Sequence, residues 1–111
     1  MSEHYYHAAD LPRFGEIGEF APELAEKFFA WYNAVFQEGA LSEREKALIA
    51  LAVSHAVQCP YCIDAYTRDA LEKGCDQEQL AEAVHVASAI RGGASLVHGV
   101  QMRKVADRLS M

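Results

Sequence analysis

A chain of 111 residues holds about one domain's worth of structure, which argues against an enzyme with separate cofactor and substrate domains. Ten Lys and Arg against sixteen Asp and Glu leave a formal charge of −6, the wrong sign for nucleic-acid phosphates or an anionic membrane, so neither is expected as a partner. With 51% hydrophobic and 23% charged residues the chain is too apolar for disorder, and that apolar fraction in so small a domain predicts surface shared with further copies in a homo-oligomer.

Residues 1–21 read as an irregular N-terminal arm. Pro12, Gly15 and Gly18 interrupt any long period there, Tyr5, Tyr6, Phe14 and Phe20 are available to pack on the body or a neighbour, and His4 and His7 read as arm residues. Residues 22–111 read as one helical domain. Pro22 suits the first turn of a helix whose apolar stripe of Leu24, Phe28, Trp31, Tyr32, Val35 and Phe36 ends by Gly39. Ser42 with Glu45 three residues on is a capping-box signature, and Leu48, Ile49, Leu51, Ala52 and Val53 wrap most of the second helix, which is expected to be buried. Pro60 ends that helix near Val57 and opens a third, which runs to a left-handed cap at Gly74. Asp76 with Gln79 opens a fourth, whose face of Leu80, Val84, Ala87 and Ile90 ends at Gly92-Gly93, and a fifth carries Leu96, Val97, Val100, Val105 and Leu109. No stretch shows strand alternation, so the predicted fold is all-α with five main helices.

The N-terminus lacks the basic run and apolar stretch of a secretory signal, and the longest apolar run, residues 47–57, falls short of the ~20 residues of a membrane-spanning helix. Three cysteines, two of them in a Cys-x-x-Cys pair, do not make the framework of a secreted protein. A cytoplasmic, reducing setting is expected, where such a pair means redox chemistry or metal.

The pair is Cys59-Pro60-Tyr61-Cys62. The break at Pro60 puts Cys59 at the cap and Cys62 in the first turn of the third helix, where free amides and the positive dipole end favour a thiolate. Cys62 is the expected nucleophile with a lowered thiol pKa, and Cys59 is close enough to resolve a sulfenic acid or mixed disulfide. Zinc is an alternative, but a closed site takes four ligands. Cys75 lies about 20 Å farther along a helix, so it is expected to stay outside the pair. His55, Cys59, Cys62 and Tyr66 fall on one line if the helical phase carries through the break. On that reading His55 is the candidate general base and Tyr66 a hydrogen-bond donor. The alternatives are a helix-end histidine held by a backbone carbonyl and a half-buried core tyrosine. His85 and His98, assigned to the fourth and fifth helices, have no partner identifiable from spacing.

Residues 41–54, the run Cys59-Pro60-Tyr61-Cys62-Ile63-Asp64-Ala65-Tyr66, Gly74, residues 82–89 and Gly92-Gly93-Ala94 with His98 resemble the alkyl hydroperoxidase D-like members of the carboxymuconolactone decarboxylase superfamily. The likeness covers about residues 22–109. It implies an all-helical fold, assembly into trimers or hexamers, and thiol-dependent reduction of a hydroperoxide or other small oxidant. The second cysteine of the pair would react first and the first resolve, with a thiol protein or small thiol as reductant and no cofactor. The redox members carry a glutamate twelve residues before the first cysteine and a histidine four after the second; here Ala47 and Tyr66 stand in those places, and by spacing alone His55 is the nearest titratable group on the same side to replace them. The aromatic arm and residues 87–102 look similar to small peroxidase-like proteins associated with arsenosugar biosynthesis. The competing expectation is a non-catalytic thiol pair that binds a soft ion such as zinc or trivalent arsenic.

Overall fold

The computed structural model describes residues 6–110 and is all-α: a 3-10 segment (Ala8–Gly18) precedes five helices, α1 (Pro22–Val35), α2 (Glu43–Ala56), α3 (Pro60–Glu72), α4 (Gln77–Val97) and α5 (Gly99–Leu109), with no strand among the described residues. Local hydrogen bonding fixes most of these boundaries. The Ser42 side chain accepts from the Glu45 amide at 3.0 Å while the Glu45 carboxylate accepts from the Ser42 amide at 2.8 Å, and Asp76 and Gln79 repeat the arrangement at 2.9 Å for both bonds. Pro22 and Pro60 each stand in the first turn, where a missing amide proton costs nothing.

Three expectations need correction. The segment before Pro22 is not irregular: Pro12 and two glycines are accommodated within a 3-10 helix, Pro12 in its interior. Its end lies against α1 because Gly18 has no side chain; a Cβ there would stand 2.6 Å from the Ala25 Cβ. Phe14 packs edge-on to Phe29 (centroids 5.0 Å) and reaches Phe28, whereas Phe20 is 92% exposed. Tyr5 and His4 lie outside the described residues. The second correction concerns α4, which runs straight through Gly92-Gly93 to Val97. Glycine costs a helix about 1 kcal/mol against alanine, but neither glycine adopts positive φ, so neither stops it; the break falls at the single residue His98, which joins α4 to α5.

The third correction is that α2 buries one face only. Ala47, Leu51 and Ser54 are buried, while Ile49 and Val53 are about half exposed, at 49% and 52%. The inner face meets α3 and α4, where Ala47, Ala70 and Cys75 form a core cluster with Leu48 and Leu80 packed against it. Small residues at those positions allow the three helices to come close. Lys46 ties α1 to α2 by donating to the Val35 carbonyl at 2.8 Å and the Gln37 carbonyl at 2.6 Å. Beyond this body the end of α4 and α5 project outward: the molecule measures 60 × 38 × 36 Å, with a radius of gyration of 19.1 Å against about 13 Å for a compact chain of 100 residues.

Candidate functional site

The site begins with the way α2 ends. The Gln58 amide donates to the His55 carbonyl at 3.2 Å and the Cys59 amide to Ser54 at 3.0 Å, the double bond pattern of a Schellman motif. Its left-handed residue is Gln58, at φ 58. Such a conformation costs a residue with a Cβ about 1 kcal/mol, and it turns the chain sharply enough for α3 to start at the next residue but one. Cys59 is therefore both the last residue of the α2 terminus and the N-cap of α3.

Cys59 caps α3 with sulfur. Its Sγ accepts the Cys62 amide at 3.3 Å, and the two Sγ atoms are in contact at 2.6 Å, with both cysteines free and partly buried. The helix terminus thus serves the sulfur of Cys59. The lowered thiol expected at Cys62 is not found: burial first, and then the neighbouring Cys59 sulfur, push Cys62 up from 9.0 to about 11. A charge on the Cys59 sulfur makes the Cys62 proton harder to remove.

Both sulfurs open into a cavity of about 680 Å³. Ala65 and Tyr66 extend its floor along α3, Tyr32 of α1 forms one side, and the 3-10 segment closes the other with Phe14, Ile17 and its charged residues. Tyr66 is held by stacking on Phe36 (centroids 5.3 Å, planes 22° apart), and Phe36 in turn meets Tyr32. The Tyr32 hydroxyl is raised above the ordinary tyrosine value by burial, followed by the charge it would meet from Cys62 and Cys59.

Of the four residues expected to share one line, Cys59, Cys62 and Tyr66 line this cavity, and His55 does not. Gln58 resets the helical phase, so His55 lines a separate cavity beside Ile63, Asp64 and Thr67 on another face of α3. Its Nδ1 lies 2.8 Å from the Leu51 carbonyl; a carbonyl only accepts, so this nitrogen carries the proton. That is the helix-end alternative. His85 and His98 are exposed, and His98 stands at the α4–α5 break rather than within α5.

The same α3 face beyond His55 holds the beginning of the described chain. Tyr6 donates its hydroxyl to Asp64 and sits edge-on to Tyr61 (centroids 4.7 Å), while Arg68 donates to Asp64 at 2.5 Å. The bond to Asp64 raises the Tyr6 hydroxyl to about 12, and the two donors, Tyr6 foremost, hold the Asp64 carboxyl below its usual range. Tyr6 and Asp64 thereby anchor the 3-10 segment next to the dithiol.

Spacing did not reveal Tyr32 or the charged residues of the 3-10 segment. Tyr32 sits in the apolar stripe of α1, where only its hydroxyl distinguishes it from a core aromatic, and nothing local connects it to a helix thirty residues on. Cys75 is buried with Ala47 and Ala70. Among the described residues no group of three or more His, Cys, Asp and Glu is placed to hold a metal ion, and no helix is long and apolar enough to cross a membrane.

Residues 22–103 match the carboxymuconolactone decarboxylase family. Uncharacterized protein 4 in the cox locus of Paracoccus denitrificans is 38% identical over 95 residues, 86% of each chain. An uncharacterized protein of Cupriavidus necator is 29% identical over 98 residues, 88% of this chain and 87% of its own. Among solved structures, a protein of Methanobacterium thermoautotrophicum has a TM-score of 0.73 at 43% identity, covering 76% of this chain and 94% of the other. The apo form of a carboxymuconolactone decarboxylase family protein from Legionella pneumophila has a TM-score of 0.66 at 30% identity, over 80% of each chain.

Proposed function

We propose that this chain, which belongs to the carboxymuconolactone decarboxylase family, is a dithiol oxidoreductase that reduces hydroperoxides or related small oxidants through Cys62 and Cys59. The observation that carries this reading is the contact of the two sulfurs, 2.6 Å apart at the floor of an open cavity. A lone thiol at a raised pKa would be a slow nucleophile, but a pair sharing one proton needs no separate base. The helix amide favours the first charge on Cys59; when the remaining proton passes from Cys62 to Cys59 across the sulfur contact, the Cys62 thiolate attacks the outer peroxide oxygen and the O–O bond breaks. The departing alkoxide takes the Cys59 proton, leaving Cys62 as a sulfenic acid and Cys59 as a thiolate. Cys59 then attacks the Cys62 sulfur, hydroxide leaves and takes back from solvent the proton released when the pair first ionised, and the products are an alcohol, water and the Cys59–Cys62 disulfide. Two external thiols, from a protein dithiol or two small molecules, return the disulfide to the dithiol and leave as a disulfide themselves.

Tyr66 and Tyr32 line the cavity, which supports a role for their hydroxyls as hydrogen-bond donors to the departing oxygen; His55, the base expected from spacing, has no part in this route. The apolar residues left open on α4 and α5, among them Ile90, Leu96 at 81% exposure and Leu109, support association of subunits into a trimer or hexamer in a reducing, cytoplasmic setting.

One equivalent of alkyl hydroperoxide added to reduced protein tests the reading. The expected result is a fall from three titratable thiols to one, with an intact mass lower by two hydrogens and Cys75 still free. Cys62→Ser should remove the reaction, and Cys59→Ser should leave a persistent sulfenic acid. Three unreacted thiols, or Cys75 in the main disulfide, would overturn it.

A further inference from the structure

We infer that the dithiol cavity takes an apolar substrate carrying no negative charge, and that Asp10 and Glu16 of the 3-10 segment, with Glu19 just after it, set this preference. The inference rests on the dithiol reading above. Size is the first argument. At about 30 Å³ per water in the liquid, a cavity of about 680 Å³ would be left almost empty by hydrogen peroxide, and it lies within the usual range of organic-ligand pockets.

The lining is the second argument. Tyr32, Tyr61 and Tyr66 surround the sulfurs, with Phe14 and Ile17 opposite. Aromatic faces carry partial negative charge, so they accept apolar or cationic groups and repel anions.

Charge is the third argument. Arg13, the only cation in the lining among the described residues, is already engaged: its Nε donates to Glu16 at 2.7 Å, and Nη1 lies 4.0 Å from Asp10. Glu19 has no ion-pair partner among the described residues. Three carboxylates against one guanidinium leave a net charge of −2 on the lining that the 3-10 end of the chain contributes, beside a pair of sulfurs that becomes negative when it reacts. An anionic oxidant meets repulsion from the rim, the rings and the nucleophile together, while a neutral or cationic one meets none.

Two symmetrical disulfides of similar length separate charge from chemistry: cystamine, a dication, and 3,3′-dithiodipropionate, a dianion. With either, the Cys62 thiolate bonds to one probe sulfur and the other half leaves as a thiolate. Cys59 then displaces the bound half, so the protein dithiol is oxidised and the probe is reduced to two small thiols. Rates are read by intact mass on the full-length protein, with dithiothreitol as the reference dithiol. At low ionic strength the cystamine-to-dithiodipropionate rate ratio of the protein should exceed that of dithiothreitol by about tenfold or more. The excess should shrink as salt is raised toward 1 M, where screening cuts the interaction to ~3 Å. Combining Asp10→Asn, Glu16→Gln and Glu19→Gln should bring the ratio to the reference value or below it. A wild-type ratio equal to the reference, or one indifferent to salt, would overturn the inference without needing the variant. If neither probe touches Cys62 while dithiothreitol reduces both, the dithiol reading falls and this inference with it.

Discussion

Helices α2 and α3 end in the same construction. A residue in the left-handed region, Gln58 at φ 58 or Gly74 at φ 88, is followed by a cysteine whose amide reaches back five residues, to Ser54 or to Ala70, both at 3.0 Å. Each terminus is also held from outside by an arginine, Arg91 donating to the Ala56 carbonyl and Arg44 to the Gly74 carbonyl at 3.3 Å. The difference is one residue of chain. After Cys75 comes Asp76, whose carboxylate caps α4 and leaves the cysteine side chain to enter the core. After Cys59 comes Pro60, already helical, so the cysteine itself must cap and its sulfur is held against the next helix and Cys62. The same residue in the same turn becomes packing in one place and half of a dithiol in the other, and the spacing to the next helix decides which.

Exchanging the two roles gives the largest expected effects. Cys59→Ser should abolish turnover with a thiol reductant and leave the melting temperature nearly unchanged. Cys75→Ser should keep turnover and cost about 1–3 kcal/mol in denaturant unfolding, because it buries a hydroxyl in an apolar cluster. The two left-handed residues come next. Nothing lies within 4 Å of a Cβ built on Gly74, so Gly74→Ala isolates backbone strain and should cost about 1–2 kcal/mol.

The pH dependence tests the coupling of the first junction. The Cys62 thiol is raised from 9.0 to about 11, so between these values the folded state keeps a proton that the unfolded chain has lost. Its contribution is whole below pH 9 and disappears as the pH rises to 11. Unfolding midpoints should therefore fall more steeply over that window in the wild type than in Cys62→Ser. An identical pH profile would show that folding does not raise the Cys62 thiol. The smallest effect belongs to Gln58→Gly, which removes the strain at φ 58 but loosens the unfolded chain and should stabilise by about 0.5 kcal/mol.

Much of the architecture is legible in the sequence because it is local. Ser42 with Glu45, Asp76 with Gln79, Pro60 and Gly74 each act within four residues, and their hydrogen bonds form where the spacing places them. Gly92-Gly93 misleads because glycine permits a turn without requiring one. At the site, the dithiol itself is legible, but its surroundings are not. His55 falls on the line of Cys59, Cys62 and Tyr66 only if the helix continues, and a single left-handed residue, without the glycine that normally signals one, turns it to another cavity. The raised thiol of Cys62 depends first on its burial and then on the neighbouring Cys59 sulfur, matters of packing and cap geometry rather than of order along the chain. Tyr32 and the carboxylates of the 3-10 segment arrive by tertiary contact across three or more turns of chain that carry no mark of it.

The atom that caps α3 is also the atom that would enter the disulfide. A sulfur bonded to sulfur is neutral and a poorer acceptor than a thiolate, so oxidation weakens the one bond that holds the Cys62 amide at the helix start. The oxidation state of the pair would then be written into the first turn of α3 as a difference in amide hydrogen exchange, faster at Cys62 in the oxidised protein. A partner that returns the electrons would meet a frayed helix end in the form it must reduce, and a capped one in the form it has just made.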